Sequence, residues 1–234
     1  MDSRTFYDEL VGRQTTVGVN ERHQAIMGWL RRFGLKPSHS VLEIGCGVGT
    51  LTELLARETC GGGSILGVDL SPKSIDAARE RLAGFDNVRV EVGDALEMDP
   101  GGPFDAVVLP DVIEHIPLGL HSRLFERVAS WLRQDGFALL HYPNPHYLEW
   151  YQKHDPESLQ FIDQPIHADV LLSNVYPHGL YLDFLQTYSI WIREGDYVVA
   201  ALRPIRPDGT FTPLESKPPS ILARIWRGIR KTLT

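Results

Sequence analysis

Val41-Leu42-Glu43-Ile44-Gly45-Cys46-Gly47-Val48-Gly49-Thr50 decides how this 234-residue chain folds. The apolar run of Val41, Leu42 and Ile44 reads as a buried strand. It breaks into glycines at positions 45, 47 and 49, and an amphipathic stretch from Leu51 to Arg57 follows at once. Strand, glycine turn and helix start are how a parallel α/β sheet sets backbone amides and a helix N-terminus against a ligand. A Cβ in such a turn would crowd the ligand and oppose positive φ.

The spacing of the glycines discriminates between ligands. A dinucleotide loop runs Gly-x-Gly-x-x-Gly, and counted from Gly45 its third glycine would fall on Thr50. The pattern here is Glu43-x-Gly45-x-Gly47-x-Gly49. It resembles the first motif of the class I S-adenosyl-L-methionine-dependent methyltransferases. Downstream, Asp69, Gly93-Asp94-Ala95 and Phe104-Asp105 through Pro110-Asp111 follow in that family's order and spacing. The resemblance spans about residues 20–143 and implies S-adenosyl-L-methionine as cofactor.

Outward from the motif, the chain alternates strands and helices. Asn20 can cap a helix to about Phe33, closed by Gly34. Strands are expected at Val41–Ile44, Ile65–Asp69, Val88–Val92, Ala106–Leu109 and Phe137–Tyr142. Val88, Val90 and Val92 alternate with Arg89 and Glu91, which marks a half-wet edge strand. Ser71-Pro72 starts one helix, and another is expected over about Leu118–Leu132. Strands Leu182–Ile192 and Tyr197–Leu202, joined by Glu194-Gly195-Asp196, require antiparallel neighbours. The result is a Rossmann-like doubly wound α/β sheet with helices on both faces. The family resemblance implies seven strands in the order 3-2-1-4-5-7-6, the last strand antiparallel. Residues 1–203 form the expected domain. Within it, 1–39 are an N-terminal cover and helix, and 144–180 an irregular acceptor-side insertion.

Each acid at a strand end has two readings. Asp69 either caps the next helix or, as the resemblance implies, accepts hydrogen bonds from both ribose hydroxyls, with Leu70 packed on the adenine. Asp94 either closes its own turn or, by the same resemblance, bonds the adenine amine beside Ala95. Glu43, in a central strand, fits a buried carboxylate facing the cofactor. Gly45, Cys46, Gly47, Gly49 and Pro110 complete the expected cofactor set.

Pro110-Asp111-Val112-Ile113-Glu114-His115-Ile116 also resembles the Glu-His signature of ubiquinone, sugar and natural-product methyltransferases. Asp111 and His115, four apart, would share a face of a helical turn. His115 is either a general base, with Asp111 orienting it or binding the acceptor, or a buried histidine bonding a carbonyl. His141 is a second candidate base or simply core. His146, Tyr147, Trp150, Tyr151, His154, Phe161, Asp163 and His167 suit a lid over a hydroxylated or ring-bearing acceptor, or a surface excursion packing its own aromatics. Six histidines lie between 115 and 167, but no tight ligand spacing indicates a metal.

These features point to methyl transfer to a small molecule, most simply to a hydroxyl. A nicotinamide oxidoreductase or epimerase and a non-catalytic cofactor-binding protein are the alternatives. Composition frames the partners. Net charge is −7, yet residues 217–234 hold five basic groups and no acid, leaving 18 basic against 30 acidic groups elsewhere. Such an acidic body argues against nucleic acid. Prolines 204, 207, 213, 218 and 219 make an extended connector, and Leu222, Ile225, Trp226, Ile229 and Leu233 share one face of a basic helix. That helix would lie on an anionic membrane, or pack on its own domain or a second subunit as a homodimer contact. Cys46 and Cys60 sit in no paired spacing, and the N-terminus lacks a secretory signal, so a reduced cytoplasmic setting is expected.

Overall fold

The computed structural model describes residues 18–59, 61–160 and 162–206. Cys60, Phe161, the N-terminal cover before residue 18 and the basic helix after residue 206 lie outside the described residues. In chain order the elements are α1 (Glu21–Arg32), β1 (Ser40–Ile44), α2 (Thr50–Glu58), β2 (Ser64–Asp69), α3 (Pro72–Leu82), β3 (Val88–Val92) and β4 (Phe104–Pro110). There follow α4 (His121–Trp131), β5 (Leu132–Pro143), α5 (Pro145–His154), α6 (Ala168–Val175), β6 (Leu180–Tyr188) and β7 (Tyr197–Pro204).

One seven-stranded sheet has the order β3-β2-β1-β4-β5-β7-β6. β1 is central and parallel to both neighbours, with Leu42 opposite Leu66 on one side and Val107 on the other. β7 runs antiparallel between β5 and β6. Period-two alternation in β1 splits the core. Val41 faces α1 and α2, packing with Ile26, Leu30 and Leu55, while Leu42 and Ile44 face a cluster holding Leu124, Phe125 and Leu171. β3 is an edge strand with a mixed burial pattern.

Three expected boundaries are corrected. The helix drawn over Leu118–Leu132 is a 3-10 turn at Leu118–Leu120 and then α4, and β5 begins directly at Leu132. The strand drawn to Ile192 stops at Tyr188, because the Asp196 carboxylate accepts from the amides of Ile190 and Trp191 (2.7 and 3.0 Å) and turns the chain. The stretch 144–180 is not irregular: it contains α5 and α6. Asn144 caps α5 by accepting from the His146 amide (3.1 Å), with Pro145 at the first helical position.

Candidate functional site

The glycine turn is tied to the end of β2. The amides of Gly45 and Cys46 both donate to the Val68 carbonyl (2.7 and 3.0 Å), and the Gly47 amide donates to Asp69 Oδ2 (2.9 Å). Gly45 has φ +75°, and a Cβ there would run into Val112. Only glycine holds that turn and keeps the carboxyl ends of β1 and β4 close. The Asp69 carboxylate also receives the Ser71 amide at Oδ1 (2.9 Å), so both backbone ties orient it at the edge of the cavity.

Asp69 opens a cavity of about 770 Å³ along the carboxyl ends of the strands. Its wall passes from Gly45, Gly47, Leu70, Asp94 and Ala95 past Pro110 and Asp111 to Glu114, His115, Tyr147, Tyr151 and Asp163. Asp94 does close its own turn, accepting from the Leu96 amide at 2.8 Å, while also lining this cavity. A smaller cavity of about 250 Å³ lies beside the glycine turn, lined by Asn20, Arg22, His23, Glu43, Gly45 and Cys46 among others. Glu43 is 1% exposed and accepts from Thr52 Oγ1 (2.7 Å). Burial pushes its carboxyl up to about 8, against the pull of that hydrogen bond. Gly49, with φ +79°, ends the turn and precedes α2.

The pairing of Asp111 with His115 is corrected. Residues 113–115 form a 3-10 turn rather than an α-turn, and Asp111 itself stands at φ +53°. That left-handed backbone sends its carboxylate elsewhere: to Arg22 on α1 and to His141 Nδ1 at 2.9 Å. The Asp111 amide adds a bond to the His141 carbonyl (2.7 Å). Arg22 went unnoticed in the sequence, although a cation in the first turn of a helix opposes the dipole and calls for an acidic partner.

Of the two readings of His141, the core one describes its surroundings. It is fully buried, lines neither cavity, stacks on Tyr197 (4.5 Å) and uses both nitrogens, Nδ1 with Asp111 and Nε2 with the Tyr188 hydroxyl (2.7 Å). Burial, and then the nearby Arg22 charge, lower its pKa to about 3. A neutral imidazole therefore donates from Nδ1–H to Asp111 and accepts from Tyr188, which makes it a brace for Asp111.

His115 belongs to a different cluster. Its Nδ1 lies 2.6 Å from the Ile162 carbonyl and 3.2 Å from Asp163 Oδ1, and Nε2 faces Glu114 Oε1 at 3.8 Å. This histidine bonds a carbonyl, as one of its two readings has it, and it also lines the cavity. Burial lowers its pKa, but the Glu114 charge and the bonds to Asp163 and Ile162 outweigh this and raise it to about 9. The 3-10 turn sets Glu114 in the cavity wall, a position that its place in the sequence motif does not show.

A family model described as "Methyltransferase domain" matches residues 41–136. Trans-aconitate 2-methyltransferase of Methylobacterium nodulans is 32% identical over 126 residues, 54% of this chain and 46% of that protein. A probable ribosomal RNA small subunit methyltransferase A of Methanosarcina acetivorans is 30% identical over 130 residues, 53% of this chain and 45% of that protein. The chain thus spans less than half the length of these curated relatives. Among solved structures, magnesium protoporphyrin IX methyltransferase of Synechocystis with bound S-adenosylhomocysteine shares the fold, with a TM-score of 0.60 and 23% identity over 82% of this chain and 83% of that one. The expected exclusion of nucleic acid is corrected by the ribosomal RNA methyltransferase among the relatives. A net charge averages over a whole surface, and binding depends on the local one.

Proposed function

We propose that this chain, a class I S-adenosylmethionine-dependent methyltransferase, moves the cofactor's methyl group to a hydroxyl of a small-molecule acceptor. The observation that carries this reading is the single cavity that runs from Asp69 to His115 beneath α5. Its two ends differ in chemistry: acids and small apolar side chains at one, tyrosines and a histidine between carboxylates at the other.

The residues present fit the cofactor. Asp69 offers oriented acceptors for the ribose hydroxyls, Asp94 an acceptor for the adenine amine, and Leu70 and Ala95 apolar surface for the ring. Glu43 and Arg22, in the smaller cavity, suit the amino and carboxylate groups of a methionine moiety. When bound, the cofactor supplies a methyl group on a sulfonium, activated for direct displacement. The protein then has two tasks, holding the acceptor hydroxyl in line and receiving its proton. We assign the second to His115, whose ring is held against the cavity by the Ile162 carbonyl and Asp163. Tyr147 and Tyr151 on α5 and Asp163 would bound the acceptor.

Labelled S-adenosylmethionine incubated with the full chain and with separate small-molecule and RNA fractions tests this. Label in a small hydroxylated product, released by reagents that cleave methyl ethers, is expected. Label confined to RNA, or to a nitrogen or carbon of the product, would contradict the reading.

A further inference from the structure

The acceptor end of the large cavity holds a carboxyl group to which no described residue gives a hydrogen bond. Glu114 is 1% exposed, and among the described residues neither carboxylate oxygen has a hydrogen-bond partner. Its carbonyl is satisfied, by the Gln164 amide at 3.0 Å and Nε2 at 3.4 Å. A buried carboxyl without a hydrogen-bond donor is disfavoured, and this one lines a cavity large enough for a ligand. The nearest cation, His115, has Nε2 at 3.8 Å, beyond hydrogen-bond range, and its other nitrogen is held by Ile162 and Asp163. Arg22, the other cation in the wall, is paired with Asp111.

Tyr147, Tyr151 and Tyr197 line the same wall. It is rich in acceptor oxygens and aromatic faces and poor in uncommitted positive charge. A neutral hydroxyl could satisfy one oxygen of Glu114 and would leave the other without a donor. An ammonium brings both donors and charge, and aromatic faces favour cations. A divalent metal is a weaker fit, because Asp111, the other acid of the motif, is already engaged by Arg22 and His141.

We propose that Glu114 is the recognition site for a protonated amine on the acceptor, so that the enzyme selects cationic small molecules carrying the hydroxyl to be methylated. The proposal rests on the methyl-transfer reading and narrows its acceptor class. It also couples recognition to chemistry. The groups facing Glu114 are His115 from its own turn, Asp163 from the loop above, Tyr142 and Tyr197 from β5 and β7, and Arg22 from α1. Of these, the His115 imidazolium is the cation held by the Glu114 charge. An ammonium arriving at Glu114 takes over that compensation, the imidazole loses affinity for its proton, and the base is freed when the acceptor is in place.

Calorimetry on the full chain separates the two levels of the claim. S-adenosylhomocysteine is titrated first, into the wild type and Glu114→Gln. Equal affinities establish that the variant is folded and the cofactor end intact; failure to bind the wild type would break the methyltransferase reading itself. Tyramine and its uncharged counterpart 4-ethylphenol are then titrated, with butylamine and butanol as a smaller pair. In the wild type the amine of at least one pair should bind about tenfold or more tighter than its neutral counterpart. Its heat should change between phosphate and Tris buffers, reporting proton release. Both signatures should vanish in Glu114→Gln. Equal affinities within each pair, no binding of either amine, a preference that survives in Glu114→Gln, or tighter binding of Mg²⁺ than of either amine at Glu114 would overturn the proposal.

Discussion

Two buried histidines, 26 residues apart in the chain, are driven in opposite directions by their neighbours. His115 sits between the acids Glu114 and Asp163, and its pKa of about 9 means that it is protonated at neutral pH. A base in that state gains activity with pH, so turnover should rise from neutrality towards about 9. Asp163→Asn removes a contact that raises the pKa, and the rising limb should move to lower pH; a stationary limb would separate Asp163 from the base. His115→Ala should lower turnover by roughly 10²–10⁴-fold with cofactor affinity intact, as read by steady-state kinetics and calorimetry. His141 is the contrary case, neutral in the fold with a pKa near 3. An unfolded histidine takes a proton below about 6.5, so this residue contributes stability above that pH that is lost as pH falls towards 3. Glu43 and Glu114, raised to about 8 and 7, work in the opposite sense above pH 4.5 and mask the effect in the whole protein. The difference between wild type and His141→Phe removes that mask. In urea unfolding, the destabilisation by His141→Phe should shrink by on the order of 2 kcal/mol between pH 7 and pH 5. A pH-independent difference would show that His141 does not stay neutral.

At the scale of elements, the turn between β1 and α2 carries the tightest constraint. Gly45 at φ +75° lies against Val112, which follows β4. Gly45→Ala adds both a strained backbone and a clash with that side chain. The variant should lose S-adenosylhomocysteine binding and melt at a lower temperature, with a stability loss of at least about 1–3 kcal/mol. Wild-type binding by a folded Gly45→Ala would remove this turn from the cofactor site. The turn was legible in the sequence because three alternate glycines after an apolar run have few other uses. So was the wet edge strand, from the alternation of Val88, Val90 and Val92. What sequence could not give was the path of the chain after β4. Asp111 adopts a left-handed backbone that no residue-type rule assigns to an aspartate before Val112, and that one torsion redirects its carboxylate from His115 to Arg22 and His141. The helices α5 and α6 were obscured by aromatics and histidines, although Asn144-Pro145 was a readable start signal.

In the whole molecule, the sheet order brings the carboxyl ends of β1, β2, β4 and β5 together, so that residues from 22 to 163 meet in adjoining cavities. The cofactor end was readable from sequence because it is built from short local motifs at strand ends. The acceptor end was not, because His115, Glu114 and Asp163 are joined only by a loop closing over the sheet from 47 positions away, the separation of His115 from Ile162. Overall charge was a poor guide to partners for a similar reason: it does not report where the acids stand. The central claim is that Asp69 begins a cofactor cavity that continues into the acceptor cluster. Titration of S-adenosylhomocysteine into the wild type and Asp69→Ala tests it most directly. The loss of charge-assisted hydrogen bonds should weaken binding by roughly 1.5–3 kcal/mol in a variant that unfolds with the same cooperativity as the wild type. Unchanged affinity in that folded variant would contradict the account.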